Sequence, residues 1–446
     1  MRAFNTRGLV GAFSSGLLLR AAGAVLNLLA VPIALRTLGQ ERYAAFAALL
    51  GLAGWLALGN SGLSSATSIA VGEIEDAERR RALFWRAAIS TVLMVGVVAV
   101  VLFVPFLRLS AHLIPNASPE VGRELSLASY YCFAVFIVIA IGQTFQGLYV
   151  GLLRAKYVNW CQFAGQLVGI AMLATLPFLW PNMLVICIAV TFGTAAAAAW
   201  FIVKGALDCP PPVPLHYRFR ESLPLFREGA GFLASSLSTL FYSGANLWII
   251  ALAFGTGQLA TAAVMSRLTQ MYFSVIALLL IPLAPALRNA LASDDRAWVR
   301  KALWRAGAFM GAAGLVGALS LAFLGNIAIP RWTGTDLPAL SQWLDPAALF
   351  VLVITWSYFW IYACFAVRGS FPVAILAVIE VAVVTAQFFA FGHSLDPAAS
   401  MYIMSGTMMA LSGTVLPVVV LQDLRRLKSA SFGQLRARSG RASVLG

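Results

Sequence analysis

Two arginines, Arg20 and Arg267, lie well inside long apolar stretches of this sequence. A charged side chain at the centre of a bilayer costs at least ~2.5 kcal/mol, so such a residue is rarely without a function. The planar guanidinium donates paired hydrogen bonds to a phosphate and does not lose its proton. These residues therefore predict the binding of an anion, and a pyrophosphate matches their geometry well.

Polar and small residues share helical faces with these arginines, because side chains spaced three and four residues apart fall on one side of a helix. These faces are expected to line a cavity, although similar stripes also mediate ordinary helix packing in membranes. The four groups are Gly16, Arg20, Gly23 and Asn27; Asn60, Ser64 and Thr67; Ser235, Ser238, Tyr242 and Asn246; and Arg267, Gln270 and Ser274. The predicted substrate contacts are Arg20, Arg267, Asn27, Asn60, Tyr242, Asn246 and Gln270.

Amide side chains on two other apolar stretches are interpreted as packing groups. Asn159, Gln162 and Gln166 share one helical face, and Gln143 and Gln146 lie together on the preceding stretch. Amides of this kind commonly hydrogen-bond between helices in a membrane.

Glu380 is the clearest carboxylate inside an apolar stretch. It has two interpretations. It could form a structural ion pair with Arg20 or Arg267, or it could bind and release a proton during ion coupling. One carboxylate cannot neutralise both arginines, so at least one surplus cation is expected inside the membrane.

Motifs of common catalytic sites do not occur in the sequence. There is no GxxxxGK[ST] phosphate loop, and neither HExxH nor GxSxG is present. The 5 cysteines have no paired spacing and predict neither a disulfide framework nor a metal site. We therefore expect no enzymatic activity, no catalytic residue, no bound metal and no cofactor. A proton or sodium gradient is one candidate energy source, and the sequence alone does not identify which source is used.

The composition explains why these polar residues are exceptional. Hydrophobic residues make up 61% of the 446 residues, charged residues only 11%, and the mean hydropathy is +0.86. So much apolar surface indicates an all-α polytopic membrane protein. Segments long enough to cross a bilayer are predicted at 9–35, 43–71, 87–107, 125–153, 157–180, 183–203, 229–254, 259–287, 306–329, 344–367, 371–392 and 398–421.

Most of the 31 lysines and arginines fall in alternate connections and in the tail, which places both termini on the cytoplasmic side of a multi-pass protein. The net charge of +14 therefore fits an anionic inner leaflet, and nucleic acid is not expected as a partner.

A proline-rich hydrophilic connection near the middle divides the chain. The predicted units are an N-terminal six-helix half at 1–204, a cytoplasmic linker at 205–227, a C-terminal six-helix half at 228–421 and a basic cytoplasmic tail at 422–446. Six crossings return the chain to the side where it started, so the halves are parallel and should be related by an axis along the membrane normal. Aligning Leu38-Gly39 with Phe254-Gly255 reveals a weak internal repeat.

Several motifs resemble one known family. They are VPIALRTLGQERY at 31–43, GNSGLSSA at 59–66, the charged loop at 73–86, FGTG at 254–257 and PLAPAL at 282–287. They resemble the polysaccharide flippases of the multidrug/oligosaccharidyl-lipid/polysaccharide exporter superfamily. The resemblance implies a bacterial inner-membrane transporter with a central cavity that works by alternating access.

The resemblance also implies the cargo and its partners. A flippase would move a polyprenyl-pyrophosphate-linked oligosaccharide to the outer leaflet for exopolysaccharide or O-antigen synthesis, beside other polysaccharide-assembly membrane proteins. Two alternatives remain. A multidrug antiporter of the same superfamily would favour acidic residues in its cavity. A membrane polysaccharide polymerase or ligase would favour a large outer loop, whereas the outer connections here are short.

Overall fold

The computed structural model describes residues 6–74, 76–113, 118–212, 219–280, 283–293, 295–369 and 371–426. These ranges are almost entirely helical. The N-terminal half contains α1 (Thr6–Glu73), α2 (Ala77–Ala111), α3 (Pro119–Gly151), α4 (Ala155–Leu179) and α5 (Met183–Asp208). The C-terminal half contains α6 (Phe219–Leu240), a π-helical turn (Phe241–Ala245), α7 (Leu247–Phe254), α8 (Leu259–Leu280), α9 (Leu283–Ala292), α10 (Arg296–Thr333), α11 (Leu340–Val367), α12 (Phe371–Phe391), α13 (Ala399–Ala410) and α14 (Ser412–Arg426).

Helix ends follow local capping chemistry. The side chains of Asp76, Asn182 and Asp295 accept hydrogen bonds from backbone amides in the first turns of α2, α5 and α10. These caps satisfy amides that have no partner inside the helix. At the other end of α10, Gly334 adopts a left-handed conformation that ends the helix.

By length and hydropathy, 9 helical stretches within the described ranges could each cross a membrane. One of them, Ala21–Leu56, bends at Gly39 and joins parts of the first and second predicted spans. The seventh predicted span corresponds to α6 and α7, which the π-helical turn separates, and the eighth covers α8 and the first half of the range of α9. The chain is therefore an all-α polytopic membrane protein with about twelve crossings, as predicted.

Large apolar side chains also cover the outside of the bundle. Val100, Phe178 and Phe323 expose 80%, 62% and 75% of their surface, and many other apolar side chains are similarly exposed. In water such exposure would be costly, whereas in a bilayer these faces contact lipid chains.

The internal repeat is visible in the backbone. Gly39 has φ 77° and ψ 175°, and its aligned counterpart Gly255 has φ 85° and ψ 178°. A residue with a Cβ rarely adopts this conformation, so glycine is required at both positions. Each glycine separates the first two crossings of its half. We refer to this end of the bundle as the glycine-turn end.

The two halves contact each other at the glycine-turn end. The Gln40 Nε2 donates to the Asp336 carbonyl oxygen at 2.7 Å, and the Arg36 Nε donates to the Thr333 carbonyl oxygen at 3.4 Å. We refer to these two hydrogen bonds as the latch. The Gln40 bond connects α1 of the N-terminal half to the segment that follows α10, and the Arg36 bond connects α1 to the last turn of α10.

At the opposite end the halves meet through glycines and an ion pair. Gly62 on α1 and Gly229 on α6 approach so closely that a Cβ on Gly62 would overlap the Gly229 carbonyl oxygen. Nearby, Arg86 Nη1 lies 2.8 Å from the Glu221 carboxylate, linking α2 to α6. Small residues allow such backbone contact between membrane helices.

We expect Gly62→Ala to destabilise the folded protein by about 1–3 kcal/mol, because an added methyl group must push α1 and α6 apart. Gly96→Ala is the matched control, since a Cβ at Gly96 meets nothing within 4 Å. The measurement is the thermal unfolding midpoint of both variants in detergent. Equal midpoints would contradict the close approach.

The proposed domain boundaries stay a prediction. Helix α5 continues to Asp208 and α6 begins at Phe219, so helical structure extends into the predicted linker from both sides. Helix α14 likewise includes the first residues of the predicted tail and ends at Arg426. Residues 213–218 and 427–446 lie outside the described residues.

Candidate functional site

Arg267 lies on α8 between the two halves of the protein. At a rise of ~1.5 Å per residue, it is about 12 Å along the helix from the glycine-turn end. Its Nη1 donates to the Gln270 Oε1 at 3.0 Å and to the Asn27 Oδ1 at 3.4 Å. Asn27 belongs to α1, so the guanidinium connects both halves. Three of the predicted substrate contacts are thus brought together.

Arg267 opens onto a cavity of about 220 Å³. Small groups leave the space for it: Gly51 and Gly54 on α1, and Gly244 in the π-helical turn. Thr191 on α5 and Ser266 on α8 also line it. We refer to it as the arginine cavity.

The arginine has only neutral partners among the described side chains. Amide oxygens accept its hydrogen bonds, and no ion pair between described residues includes it. Neutral oxygens orient the guanidinium but do not cancel its charge. An anion that enters the arginine cavity would therefore meet an uncompensated cation in a site of low dielectric.

A second cavity of about 380 Å³ adjoins the first and shares Gln270 with it. Its polar lining comes from Asn27 on α1, Gln162 and Gln166 on α4, Thr194 on α5, and Gln270 and Ser274 on α8. We refer to it as the amide cavity. Both glutamines also bond to a neighbouring helix, as their interpretation as packing groups expects: Gln162 to Gln146 on α3, and Gln166 to Thr194 on α5. Thr194 has no sequence signal. The i, i+4 spacing of the two glutamines was the one hint of a shared polar face.

Glu380 on α12 is fully buried and has neutral partners. Its Oε2 accepts a hydrogen bond from the Ser238 Oγ at 3.3 Å, and its Oε1 accepts from the Ser412 backbone amide at 3.1 Å. The helix is interrupted between α13 and α14, and this interruption leaves the Ser412 amide available to donate to Glu380. A cavity of about 50 Å³ beside the carboxylate is lined by Ser238, Tyr358 and Tyr362.

The alternative in which Glu380 pairs with Arg267 is not what the structure contains. Each of the two residues is hydrogen-bonded to other groups, and no ion pair joins them. A pair between Glu380 and Arg20 is not tested, because the side chain of Arg20 lies outside the described residues. The same holds for the side chain of Asn60. Both residues are part of the α1 backbone, and their role as substrate contacts stays a prediction.

Tyr242 and Asn246 are buried in the protein core. The Tyr242 ring packs against Phe350 at a centroid distance of 5.8 Å, and the Asn246 Nδ2 lies 2.8 Å from the Met404 Sδ. The expectation of one continuous helix at 229–254 is wrong. The π-helical turn and Gly244, with φ 111°, change the helical register, so Ser238 and Asn246 no longer share one face. A contact of Tyr242 and Asn246 with a substrate stays a prediction.

An all-helical bundle of two halves with a polar interior between them defines a membrane transporter, and known proteins support this class. The family model described as "Polysaccharide biosynthesis protein" matches residues 12–289. The chain therefore belongs to this family, within the superfamily to which the sequence motifs pointed. No curated protein matches the chain.

Solved structures share the fold at low sequence identity. One is an inward-facing multidrug resistance MATE family transporter of the MOP superfamily, 14% identical, with 93% of this chain and 99% of that chain covered and a TM-score of 0.74. An outward-facing transporter of the same family and superfamily is 15% identical, with 96% of this chain and 98% of that chain covered and a TM-score of 0.64. A MOP superfamily transporter from Pyrococcus furiosus, described as having a binding pocket of reverse polarity, is 14% identical, covers 96% and 98%, and has a TM-score of 0.63.

Proposed function

We propose that this protein flips a polyprenyl-pyrophosphate-linked oligosaccharide from the cytoplasmic to the outer leaflet of a bacterial inner membrane. The observation that carries the proposal is the guanidinium of Arg267, which forms no ion pair with a described carboxylate and which Asn27 and Gln270 hold between the two halves. A pyrophosphate fits such a donor, since a planar guanidinium forms two parallel hydrogen bonds with phosphate oxygens. The product would supply cell-surface polysaccharide synthesis.

In this proposal the cavities alternate between the two faces of the membrane. The cytoplasmic face is the end opposite the glycine-turn end, where the basic connections lie. Arg267 replaces part of the hydration that the pyrophosphate loses, and so lowers the barrier to moving a charged headgroup through hydrocarbon. The polyprenyl chain stays in the surrounding lipid. Anionic inner-leaflet lipids contact the basic helix ends, and other polysaccharide-assembly proteins receive the cargo.

The multidrug antiporter of the same superfamily is the alternative that the shared fold favours. Its cationic drugs would be repelled by Arg267, because the charge has no acidic partner among the described residues. A glycosyl-transferring polymerase or ligase would need catalytic groups at the outer face. The polar groups around Arg267 and Gln270 line internal cavities.

The deciding experiment is leaflet transfer of a fluorescent polyprenyl-pyrophosphate oligosaccharide in proteoliposomes that contain the purified protein. We expect transfer above that of protein-free liposomes, together with no transport of a cationic dye. Dye transport without lipid transfer would support the antiporter and overturn the proposal.

We further propose that Glu380 couples flipping to a proton gradient. The carboxylate lies beside a small cavity whose titratable groups are Tyr358 and Tyr362, and its hydrogen-bond donors are a serine hydroxyl and a backbone amide. Protonation would cancel the negative charge that these donors stabilise, and would thereby change the packing of α12 against α6 and α14.

We expect Glu380→Gln to abolish the acceleration of transfer by an imposed proton gradient, because the amide cannot exchange a proton. Transfer without a gradient should continue. Glu78→Gln is the control, since Glu78 is exposed at the start of α2. A sodium gradient is applied in a separate arm. Wild-type stimulation by sodium alone, or a proton response that survives in Glu380→Gln, would contradict the assignment.

A further inference from the structure

The amide cavity differs chemically from the arginine cavity beside it. Of its ten lining residues, six have side chains that form hydrogen bonds, and no lining residue carries a charge. Its volume of about 380 Å³ falls within the range of roughly 300–1,000 Å³ that is typical of small-molecule sites. Packing of amides between helices does not require such a space.

Hydrogen bonds within the lining leave defined polar atoms for a ligand. Gln162 donates its Nε2 to the Gln146 Oε1 at 2.9 Å, which orients its own oxygen as an acceptor. The Gln166 Nε2 lies 3.5 Å from the Thr194 Oγ1, at the limit of a hydrogen bond, and the Gln166 Oε1 is buried without a partner in the described structure. A buried polar atom without a partner loses its hydration without compensation, so a ligand that donates to this oxygen gains affinity once the amide turns toward the cavity.

Gln270 lies where the two cavities join. Its Oε1 accepts from Arg267 at 3.0 Å, so the group it presents to a ligand is its amide nitrogen. A molecule bound at this junction would have an anionic group near Arg267 and an adjoining uncharged group among the amides of α4 and α8.

From this arrangement we infer that the amide cavity is a binding subsite for the uncharged sugar next to the pyrophosphate, with Gln162 and Gln166 as its specificity-determining residues. The inference rests on the proposed function and adds the chemical class of the glycan. Sugar hydroxyls both donate and accept, as amides do, whereas a free ion would find no opposite charge here. Leu19, Ala24 and Met271 supply apolar surface for the C–H groups of the sugar ring.

The test compares two lipids that differ in the sugar alone: polyprenyl pyrophosphate and polyprenyl-pyrophosphoryl-glucose. Binding of each is measured to the purified full-length protein in nanodiscs. We expect the wild type to bind the glucosyl lipid about tenfold more tightly, which corresponds to ~1.4 kcal/mol. Gln166→Leu and Gln162→Leu should each remove most of this difference and leave the affinity for the sugar-free lipid unchanged.

Gln387→Leu is the matched control. Gln387 is a partly buried glutamine on α12 whose Oε1 accepts from the Thr407 Oγ1 at 2.9 Å, and it is not among the residues that line the amide cavity. This variant should retain the preference for the glucosyl lipid. Arg267→Gln should weaken the binding of both lipids by the same factor, because it removes the guanidinium that would contact the pyrophosphate in each.

Several results would overturn the inference. Equal wild-type affinities for the two lipids, or a preference that survives in both leucine variants, would show that the amide cavity does not bind the sugar. Tighter binding of a glucuronosyl lipid than of the glucosyl lipid would contradict the uncharged class. These outcomes leave the flippase proposal intact, whereas a wild type that binds neither lipid would overturn both. Thermal midpoints of the variants identify any loss of affinity caused by misfolding.

Discussion

Arg267→Ala should reduce leaflet transfer of the lipid-linked oligosaccharide by about a hundredfold, close to the rate in protein-free liposomes. Charge-assisted hydrogen bonds contribute about 1.5–3 kcal/mol each, and the substitution removes the donor of both bonds that we propose to a pyrophosphate. It also leaves the Asn27 and Gln270 oxygens without their present donor. The loss falls on binding of the charged headgroup, the most costly part of the cargo to move.

Conservative variants separate the contributions of charge and shape. Arg267→Lys retains the charge but not the planar fork, so we expect intermediate transfer. Arg267→Gln retains hydrogen bonding without charge and should be close to Arg267→Ala. Arg20→Ala is tested in parallel, because Arg20 is predicted to act with Arg267.

Arg108→Ala is the control, since this arginine is exposed near the end of α2. It should transfer at the wild-type rate. Each variant is compared at equal amounts of reconstituted protein with the same thermal midpoint. Normal transfer by Arg267→Ala would remove the site assignment.

Cross-linking the latch should stop transfer altogether. Gln40 and Asp336 connect the two halves at the glycine-turn end, which the basic-residue distribution predicts to lie on the outer side. If the cargo leaves at this end, the halves must separate there. In a background without the native cysteines, a short reducible cross-linker between Gln40→Cys and Asp336→Cys should lower transfer at least ~10-fold, and reduction should restore it.

A second cysteine pair at the same end provides the control. Arg42 and Glu120 form an ion pair at 3.3 Å between α1 and α3, both in the N-terminal half. Cross-linking Arg42→Cys to Glu120→Cys joins helices that are expected to move together, so transfer should continue. Full activity of the cross-linked Gln40–Asp336 pair would show that the glycine-turn end need not open.

The latch also adds a cost to separating the two halves at the glycine-turn end. Release of the Gln40 and Arg36 donors costs about 0.5–1.5 kcal/mol for each ordinary hydrogen bond.

Local sequence signals were sufficient for the membrane fold. Apolar length predicts a crossing because backbone groups in lipid must be satisfied within the segment itself. The internal repeat aligns Gly39 with Gly255, and their backbone angles agree because a positive φ depends on the residue's own lack of a Cβ. The sequence also identifies Arg267 as unusual, because the free-energy cost of its charge inside a membrane depends on the apolar residues along its own helix.

Contacts between distant helices were decided by the tertiary structure alone. Gln166 borders a cavity because α1, α4, α5 and α8 leave a space beside it, and helical periodicity contains no information about neighbouring helices. The partners of Glu380 depend on the interruption of the helix between α13 and α14, which leaves the Ser412 amide available to donate to this carboxylate. The sequence thus determined which residues are unusual in a membrane. The packing of the helices determined which of them meet, because side-chain contacts depend on the separation and rotation of whole helices.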